Sequence, residues 1–274
     1  QREVDLQTIQ LREQKAEIER KNRDITDSIN YARTIQSSIL PPINVLKTYF
    51  PHSFIFFVPR DIVSGDFYWF YKTKNHFLIC CADCTGHGVP GAFMSMIGST
   101  LLNDIVKRKD VNSPADLLER LDLEIKVLLQ DSKNKNNTRD GMDISIVEIE
   151  NDTKRVRVAS AKRPVYLFLN GEMTVYKGHR RSIGDSLVDD DTPFVNIEYQ
   201  CKTNDLIYLF SDGYSDQFGG PKEKKFMKVG VKNMLEKIHT LPMDEQYQQV
   251  SEYFYNWKGD LEQVDDVIFL GIRL

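Results

Sequence analysis

Aspartates stand beside apolar, strand-like runs in four separate segments of the sequence. Asp66 precedes an aromatic run, Asp83 ends an apolar run, Asp212 follows another, and Asp265 and Asp266 precede the last. If these strand ends meet at one edge of a sheet, the carboxylates would repel one another and raise each other's pKa unless cations lie among them. Oxygen-only ligands suit Mg²⁺ or Mn²⁺ better than Zn²⁺. The pattern therefore indicates a divalent-cation site.

Each aspartate has a simpler explanation when it is taken alone. An aspartate at a strand end commonly accepts hydrogen bonds from turn backbone and has no chemical role. Four aspartates at the same kind of location are harder to explain in this way, because apolar strands would bring their ends together. We therefore favour the interpretation as a shared site.

The cysteines offer a second, weaker candidate for chemistry. They are Cys80, Cys81, Cys84 and Cys201, and three of them lie within five positions. Cys81 and Cys84, with His87 nearby, resemble a redox or zinc motif, but a structural zinc site has four ligands and usually a second close pair. The sequence therefore favours reduced thiols in a cytoplasmic protein over a disulfide framework or a zinc site.

Alternating strand-like and helix-like blocks follow Pro42 and must position these residues. The predicted strands span 53–58, 67–72, 76–81, 143–150, 154–160, 165–169, 173–177, 195–201, 206–210 and 267–274, with a hairpin turn at Asn170-Gly171. The predicted helices span 90–107, 226–239 and 243–257, and one more begins at Ser113-Pro114. A polar loop is expected at 133–138. Strands in runs with grouped helices predict one α+β sandwich domain over 43–274.

Residues 1–42 have a different pattern, typical of a long helix. An apolar residue recurs every seventh position, namely Val4, Leu11, Ile18, Ile25, Ala32 and Ile39. This heptad spacing indicates a coiled-coil-like helix, which Pro41-Pro42 ends. The companion positions of the seam are mostly polar, so we expect weak pairing at best. The helix is either a solvated helix that leans on the domain or a signalling linker from an upstream sensor, and we favour the linker.

Composition excludes several classes of function. The 274 residues include 36 Lys and Arg against 40 Asp and Glu, a net charge of −4 that argues against a dedicated nucleic-acid binder. The longest apolar runs have only five or six residues, whereas a membrane-spanning helix needs about 20. The sequence begins at Gln1 without a Met, so we expect it to be a piece of a longer protein.

The four acidic segments, read together, resemble a known family. SGDFYWF, ADCTGHGVPGAF, SDGYSD and DDVIFL stand in the order and spacing of the metal-dependent PPM (protein phosphatase 2C-like) superfamily. More narrowly they resemble its bacterial branch, typified by the sporulation stage II E phosphatase and by regulators of general-stress sigma factors. The resemblance covers essentially all of 43–274. It implies a four-layer αββα sandwich of two antiparallel sheets flanked by helices, with two Mn²⁺ or Mg²⁺ ions at one end.

The resemblance also implies roles for individual residues. Asp83 would bridge both ions, the backbone carbonyl of Cys84 would serve one ion, and Asp212 and Asp265 would serve the other. Asp66 would act mainly through bound water. Asp216 matches a position that helps to hold a weak third ion in some relatives.

Each basic residue near these segments has both a functional and a structural explanation. His87 is a candidate acid for the leaving serine oxygen, although a glycine-flanked histidine in a turn is as often structural. The stretch SAKRPVYL stands where many relatives carry an Ala-Gly-His-Pro-like stretch, so Lys162 or Arg163 is a candidate phosphate contact. Solvated surface charge explains these two residues equally well.

The resemblance implies a mechanism, and the sequence leaves three candidate functions. Two divalent ions can hold a water, lower its pKa and direct it at a phosphoserine or phosphothreonine. The leading function is a metal-dependent serine/threonine phosphatase, with a phosphorylated anti-anti-sigma (STAS-type) protein as the expected substrate. The alternatives are a phosphatase-fold binding module with little or no activity and a thiol-based redox or zinc protein. A homodimer through the N-terminal helix and regulation through that helix are further expectations.

Overall fold

The computed structural model describes residues 2–108, 110–130, 140–185 and 192–274, with the side chains of residues 2–4, 6, 9 and 130 outside the description. The loop predicted at 133–138 and the side chain of Val4 therefore lie outside the described residues. None of the helices described has the length and apolar character that a bilayer span requires.

Helices and strands alternate along the chain much as the sequence predicts. The helices are α1 (Arg2–Ile39), α2 (Ile43–Tyr49), α3 (Gly88–Ile105), α4 (Pro114–Gln130), α5 (Asp212–Asp216), α6 (Met227–Ile238) and α7 (Met243–Lys258). The strands are β1 (Ser53–Val58), β2 (Phe67–Lys72), β3 (His76–Cys84), β4 (Met142–Glu150), β5 (Arg155–Ala161), β6 (Val165–Leu169), β7 (Glu172–Tyr176), β8 (Ile197–Gln200), β9 (Leu206–Phe210), β10 (Phe218–Gly219), β11 (Lys224–Lys225) and β12 (Val267–Arg273).

Two five-stranded antiparallel sheets form the centre of the domain. One sheet has the strand order β1-β12-β9-β6-β7, and the other has the order β2-β3-β4-β5-β8. The short hairpin β10-β11 stands apart from both sheets. This arrangement confirms the predicted sandwich of two antiparallel sheets.

Three layers of buried side chains explain why the domain has four layers of secondary structure. In β6, Val165 and Leu167 pack between the two sheets, whereas Tyr166 and Phe168 pack on the outer face beside α6 and α7. A third cluster fills the space between the other sheet and the pair α3 and α4. The two-residue period of a strand thus gives each sheet two apolar faces, and helices must cover the outer ones.

The N-terminal helix stands largely clear of this domain. The heptad residues Leu11, Ile18 and Ile25 are 68%, 58% and 57% exposed. Among the described side chains of α1, Gln36 alone is buried, and the helix contacts α3. The interpretation of α1 as a helix that leans on the domain therefore holds only for its last turns.

Several elements differ from the sequence-based prediction in detail. The prediction missed the short helices α2 and α5 and the two-residue strands β10 and β11, because none has enough residues to show a period. Strand β3 continues to Cys84 rather than ending at residue 81. On α4, Leu117, Leu118, Leu121 and Ile125 are buried as expected, but Leu128 is 51% exposed.

Close backbone packing at the start of α3 gives a test of this fold. A Cβ on Gly91 would lie 2.3 Å from the carbonyl oxygen of Gly86 and 2.9 Å from the Cα of Gly65. We expect Gly91→Ala to lower the free energy of unfolding by about 2 kcal/mol, because backbone atoms would have to move. Urea denaturation would measure the change.

A second helical glycine serves as the matched control for this substitution. A Cβ on Gly230 in α6 would approach only the ring of Phe226, at 3.0 Å. Because that side chain can move and alanine favours helix, Gly230→Ala should leave stability unchanged or raise it by up to about 1 kcal/mol. A Gly91→Ala variant as stable as the unmodified protein would contradict the packing described.

Candidate active site

The topology brings the four acidic segments to one end of the sandwich. Asp66 precedes β2 and Asp83 lies near the end of β3, and these antiparallel neighbours pair Phe67 with Ala82. In the other sheet, Asp212 follows β9 and Asp265 precedes β12, which is also an antiparallel neighbour. Since the start of one strand lies beside the end of its antiparallel partner, each sheet contributes one pair of aspartates to this edge.

A glycine allows the segments around Asp212 and Asp265 to approach closely. A Cβ on Gly213 would lie only 2.0 Å from the carbonyl oxygen of Asp266. Ser211 also joins the two segments, since its N–H donates to the Ile268 carbonyl at 3.1 Å and its Oγ accepts from the Ile268 N–H at 2.9 Å. A larger residue at position 213 would push the two aspartates apart.

Asp66 is the most deeply buried carboxylate of the set. It is 3% exposed, and its Oδ2 has no hydrogen-bond partner. Burial raises the pKa of Asp66 well above its usual value, and the charge of Asp83, followed by the charges of the neighbouring Asp265 and Asp266, raises it further. A carboxylate in this environment is stabilised by gaining either a proton or a cation.

Asp83 and Asp212 share a single cationic partner. The Arg163 Nη2 lies 2.8 Å from Asp212 Oδ2 and 3.1 Å from Asp83 Oδ2, although this Asp83 oxygen accepts no well-aligned hydrogen bond. Burial raises the pKa of Asp83 well above its usual value despite the charge of Arg163. Burial also acts to raise the pKa of Asp212, but the charge and hydrogen bond of Arg163 outweigh it and lower that pKa.

The two consecutive aspartates before β12 have different environments. Asp265 is partly exposed, and burial followed by the charge of Asp212 contributes to a raised pKa. Asp266 is 1% exposed and accepts hydrogen bonds at 2.7 Å from the backbone N–H groups of Arg60 and Gly65. Asp265 therefore faces the cluster, whereas Asp266 fixes the loop that leads to Asp66.

Asp143 is a further carboxylate of the cluster that the sequence analysis did not single out as a site residue. It pairs with Asp83 across β3 and β4, and its Oδ2 lies 3.1 Å from Arg163 Nη2. The hydroxyl of Ser182 donates to its Oδ1 at 2.5 Å. Its place at the start of a predicted strand, like that of Asp265, was a signal that could have identified it.

His87 lies at the exposed margin of the cluster. Its Nδ1 is 2.9 Å from Oδ2 of Asp61, and its charge contributes to the pKa of Asp265. Because a carboxylate only accepts hydrogen bonds, this contact favours a proton on Nδ1 and leaves Nε2 available. Asp61 is a second residue that the sequence analysis did not identify.

The remaining site candidates occupy the surroundings of the cluster. Cys84 is buried at the end of β3, directly after Asp83. Asp216 at the end of α5 pairs with Lys225 Nζ at 2.7 Å. The Lys162 Nζ is 3.9 Å from Asp143 Oδ1, at the outer side of the Arg163 contacts.

The cysteine arrangement disfavours the thiol-based alternative. All four cysteines are free and buried. Cys81 packs between the two sheets, whereas Cys84 packs on the opposite face of β3 against the α3 and α4 side. A spacing of three residues on a strand thus points the two thiols away from each other. Burial also raises the pKa of both thiols, which makes them poor nucleophiles.

The donor set of the cluster fits hard divalent cations. Asp66 and Asp83 each have a buried carboxylate oxygen without a hydrogen-bond partner, and a cation would satisfy such an oxygen. Within the described ranges, no three acidic, histidine or cysteine side chains are arranged around a common point in the way that metal ligands are. The guanidinium of Arg163 lies between carboxylates of this set instead.

Comparison with known proteins agrees with the fold. A family profile described as stage II sporulation protein E (SpoIIE) matches residues 73–274. No curated protein sequence matches the chain.

Solved structures give the same result. The SiaA-PP2C domain of Pseudomonas aeruginosa is 31% identical with a TM-score of 0.83, and the match covers 92% of this chain and 98% of that one. The PP2C phosphatase domain of SpoIIE from Bacillus subtilis, with a regulatory fragment, is 16% identical with a TM-score of 0.64, over 81% and 62% of the two chains. The RsbU and RsbW domains of Rv1364c from Mycobacterium tuberculosis are 16% identical with a TM-score of 0.65, over 82% and 60%. The chain therefore belongs to the SpoIIE family of PP2C-type serine/threonine phosphatase domains.

Proposed function

We propose that this chain is a Mn²⁺- or Mg²⁺-dependent phosphatase that hydrolyses phosphoserine or phosphothreonine on a partner protein. The observation that carries the proposal is the meeting of Asp66, Asp83, Asp212 and Asp265 at one end of the sandwich. Asp66 and Asp83 each have a buried carboxylate oxygen that accepts no hydrogen bond. We assign residues 43–274 to the phosphatase domain and residues 1–42 to a linker helix.

The proposed ligands are the carboxylates of Asp66, Asp83, Asp212 and Asp265, together with the backbone carbonyl of Cys84. Asp216 is proposed to help hold a weak third ion. When bound, two divalent cations supply a water of lowered pKa as nucleophile and neutralise charge on the phosphoryl oxygens. The buried walls around Asp66 and Asp83 keep bulk water away, which strengthens every charge interaction in the site.

Two basic side chains are proposed to act on the substrate. His87 projects at the margin, and the contact of its Nδ1 with Asp61 leaves Nε2 free, so that the doubly protonated ring would donate its Nε2 proton to the departing serine oxygen and become neutral. Arg163 carries the guanidinium nearest to the carboxylates, and a planar guanidinium suits a phosphoryl group. Lys162 and Arg163 were the two candidates for this contact, and burial favours Arg163.

The expected partners follow from the family. We propose a phosphorylated regulatory protein of the anti-anti-sigma (STAS) type as substrate, an upstream sensor in the complete protein, and a cytoplasmic location that suits four free cysteines. Metal-dependent release of phosphate from such a phosphoprotein would test the substrate.

The exposed heptad residues of α1 are proposed to pair with those of a second copy. Leu11, Ile18 and Ile25 form one column of the helix and are more than half exposed. Two such helices can bury these side chains against each other in a coiled coil. Because the companion positions are mostly polar, the dimer should be weak and easily repositioned.

Gln36 is proposed to connect this helix to the active site. Its Nε2 donates to the Ser64 carbonyl at 2.6 Å and to the Ser95 Oγ at 2.9 Å, and its Oε1 accepts from the Ser64 N–H at 3.1 Å. Ser64 in turn accepts a hydrogen bond from the Asp66 backbone N–H at its Oγ, at 3.1 Å. A movement of α1 would thus shift the loop before Asp66 and the first turns of α3 together.

Loss of a carboxylate should abolish turnover. We expect Asp83→Asn and Asp212→Asn each to lower the Mn²⁺-dependent hydrolysis of p-nitrophenyl phosphate by at least about a hundredfold, because a neutral amide holds a cation poorly. Circular dichroism would show that both variants remain folded. The exposed Asp260 provides the control, and Asp260→Asn should keep full activity. Full activity in either site variant would contradict its assignment as a metal ligand, whereas an unmodified protein without metal-dependent activity would favour the inactive binding module.

The dimer has its own test in the oligomeric state. Sedimentation equilibrium of residues 1–274 over a range of concentrations should show a reversible monomer–dimer equilibrium. Ile18→Glu should shift it towards monomer, because the charges would face each other in the seam. Ala16→Glu places the same charge on the opposite side of the exposed helix and should leave the equilibrium unchanged. A protein that stays monomeric throughout would contradict the dimer.

Removal of the Gln36 contacts should change metal dependence. Gln36→Leu keeps the size of the side chain but leaves the Ser64 N–H unpaired, although the Ser64 carbonyl keeps the hydrogen bond from the Ser95 hydroxyl at 3.1 Å, so the free energy of unfolding should fall by about 2 kcal/mol. The Mn²⁺ concentration that gives half-maximal activity should rise several-fold, because Asp66 loses its fixed position. The exposed Gln10 is the matched control, and Gln10→Leu should change neither quantity. An unchanged Mn²⁺ requirement in Gln36→Leu would rule out this coupling.

A further inference from the structure

Arg163 places a permanent positive charge inside the carboxylate cluster. The side chain is buried, and its Nη2 lies within 3.1 Å of Asp83, Asp143 and Asp212. Its Nε is buried without a partner. The guanidinium therefore offsets part of the negative charge of the cluster, while one of its own donors stays unsatisfied.

A tight turn fixes the backbone that carries this side chain. Lys162 has a φ of 59°, in the left-handed region that favours glycine. The Arg163 N–H donates to the Ala161 carbonyl at 2.7 Å, the Lys162 N–H donates to the His179 carbonyl at 2.8 Å, and the Ser160 hydroxyl donates to the Arg163 carbonyl. The chain thus maintains an unfavourable backbone conformation where it directs Arg163 into the cluster.

Asp143 differs from the other two carboxylates that Arg163 contacts. Asp83 and Asp212 are proposed cation ligands, whereas Asp143 is not, and the Ser182 hydroxyl fixes its carboxylate. Arg163 therefore has two kinds of anchor. Asp83 and Asp212 are shared with the proposed cation, whereas Asp143 is not.

We propose that Arg163 is a built-in counter-cation that occupies the carboxylate cluster of the metal-free protein, competes with the divalent cation for Asp83 and Asp212, and is retained by Asp143 when the cation displaces it. The inference rests on the proposed metal dependence. Its physical basis is repulsion, since a divalent cation bound to Asp212 would lie close to a guanidinium that is 2.8 Å from the same carboxylate, and each positive charge weakens the binding of the other.

This competition has two consequences for the chain. Without a cation, the aspartates stay close to one another because Arg163 offsets the repulsion among their carboxylates. The cation, in turn, binds more weakly than the carboxylates alone would allow, so metal occupancy is sensitive to small shifts of the surrounding loops.

Calorimetric titration of Mn²⁺ into metal-stripped protein tests the competition. We expect Arg163→Met to bind Mn²⁺ about tenfold more tightly, since a buried ion pair no longer has to be broken. Its thermal midpoint in EDTA should fall by about 5 °C, because the carboxylates lose their counter-charge. Lys162→Met removes the same charge one residue away, from a side chain 3.9 Å from Asp143, and should change Mn²⁺ affinity less than twofold.

A second measurement uses the unmodified protein, in case Arg163→Met does not fold. The Nε–H groups of Arg163 and Arg181 are both buried away from water, so each should give a protected signal in a ¹⁵N spectrum. Saturation with Mg²⁺ should shift the Arg163 signal. The Arg181 signal should not move, because Arg181 pairs with Glu119 and Asp122 on α4.

The outcomes distinguish this inference from the proposed function. Equal or weaker Mn²⁺ binding by Arg163→Met, equal tightening in Lys162→Met, or an unmoved Arg163 signal at Mg²⁺ saturation would each overturn the counter-cation. Failure of the unmodified protein to bind Mn²⁺ or Mg²⁺ would overturn the metal-dependent function together with it.

Discussion

Repulsion among the carboxylates at one end of the sandwich determines what the surrounding structure must provide. Asp66 and Asp83 are largely out of contact with water, and each lies in the field of further acidic groups. An isolated buried carboxylate is costly, so a chain gathers several only where something else offsets the charge. In this protein the offset comes from Arg163 and, in the proposed function, from divalent cations.

The two sheets hold these carboxylates against their repulsion. Strands β9 and β12 are buried along nearly their whole length, as is β3, so moving any one aspartate would disturb an apolar core. Asp266 strengthens this frame by accepting two backbone hydrogen bonds from the loop before Asp66. Apolar packing and backbone hydrogen bonds therefore offset the unfavourable free energy of repulsion among the carboxylates, although they have no direct part in the chemistry.

The sequence predicts the parts of the structure that depend on local pattern. Strands β1, β2, β6 and β9 have the predicted bounds, because apolar alternation and turn residues mark both ends. The convergence of the four acidic segments also follows from the sequence, through antiparallel pairing and a family resemblance. Their roles as ligands stay a prediction.

Other features could not be predicted because they depend on tertiary contacts. Gln36 is one polar residue among many on a helix that is mostly in solvent, and only its position against Ser64 and Ser95 distinguishes it. Arg163 is oriented by a left-handed Lys162, a conformation that a lysine does not suggest. Asp143 could have been predicted by the rule applied to Asp265, namely that an acidic residue at a strand end lies at the same end of the sandwich as the other aspartates.

The proposed linker and the proposed counter-cation act on opposite sides of one cluster. Gln36 fixes the loop before Asp66, a carboxylate that has no ion pair among the described contacts, whereas Arg163 contacts Asp83 and Asp212. In the proposed function, a shift in α1 would move Asp66, which attracts the cation. It would leave Arg163, which competes with the cation, in place. In the proposed function these two effects act on the same cations, so a movement of the helix would change metal occupancy. A site built only from well-anchored ligands would bind its ions firmly, and the helix would have little to control.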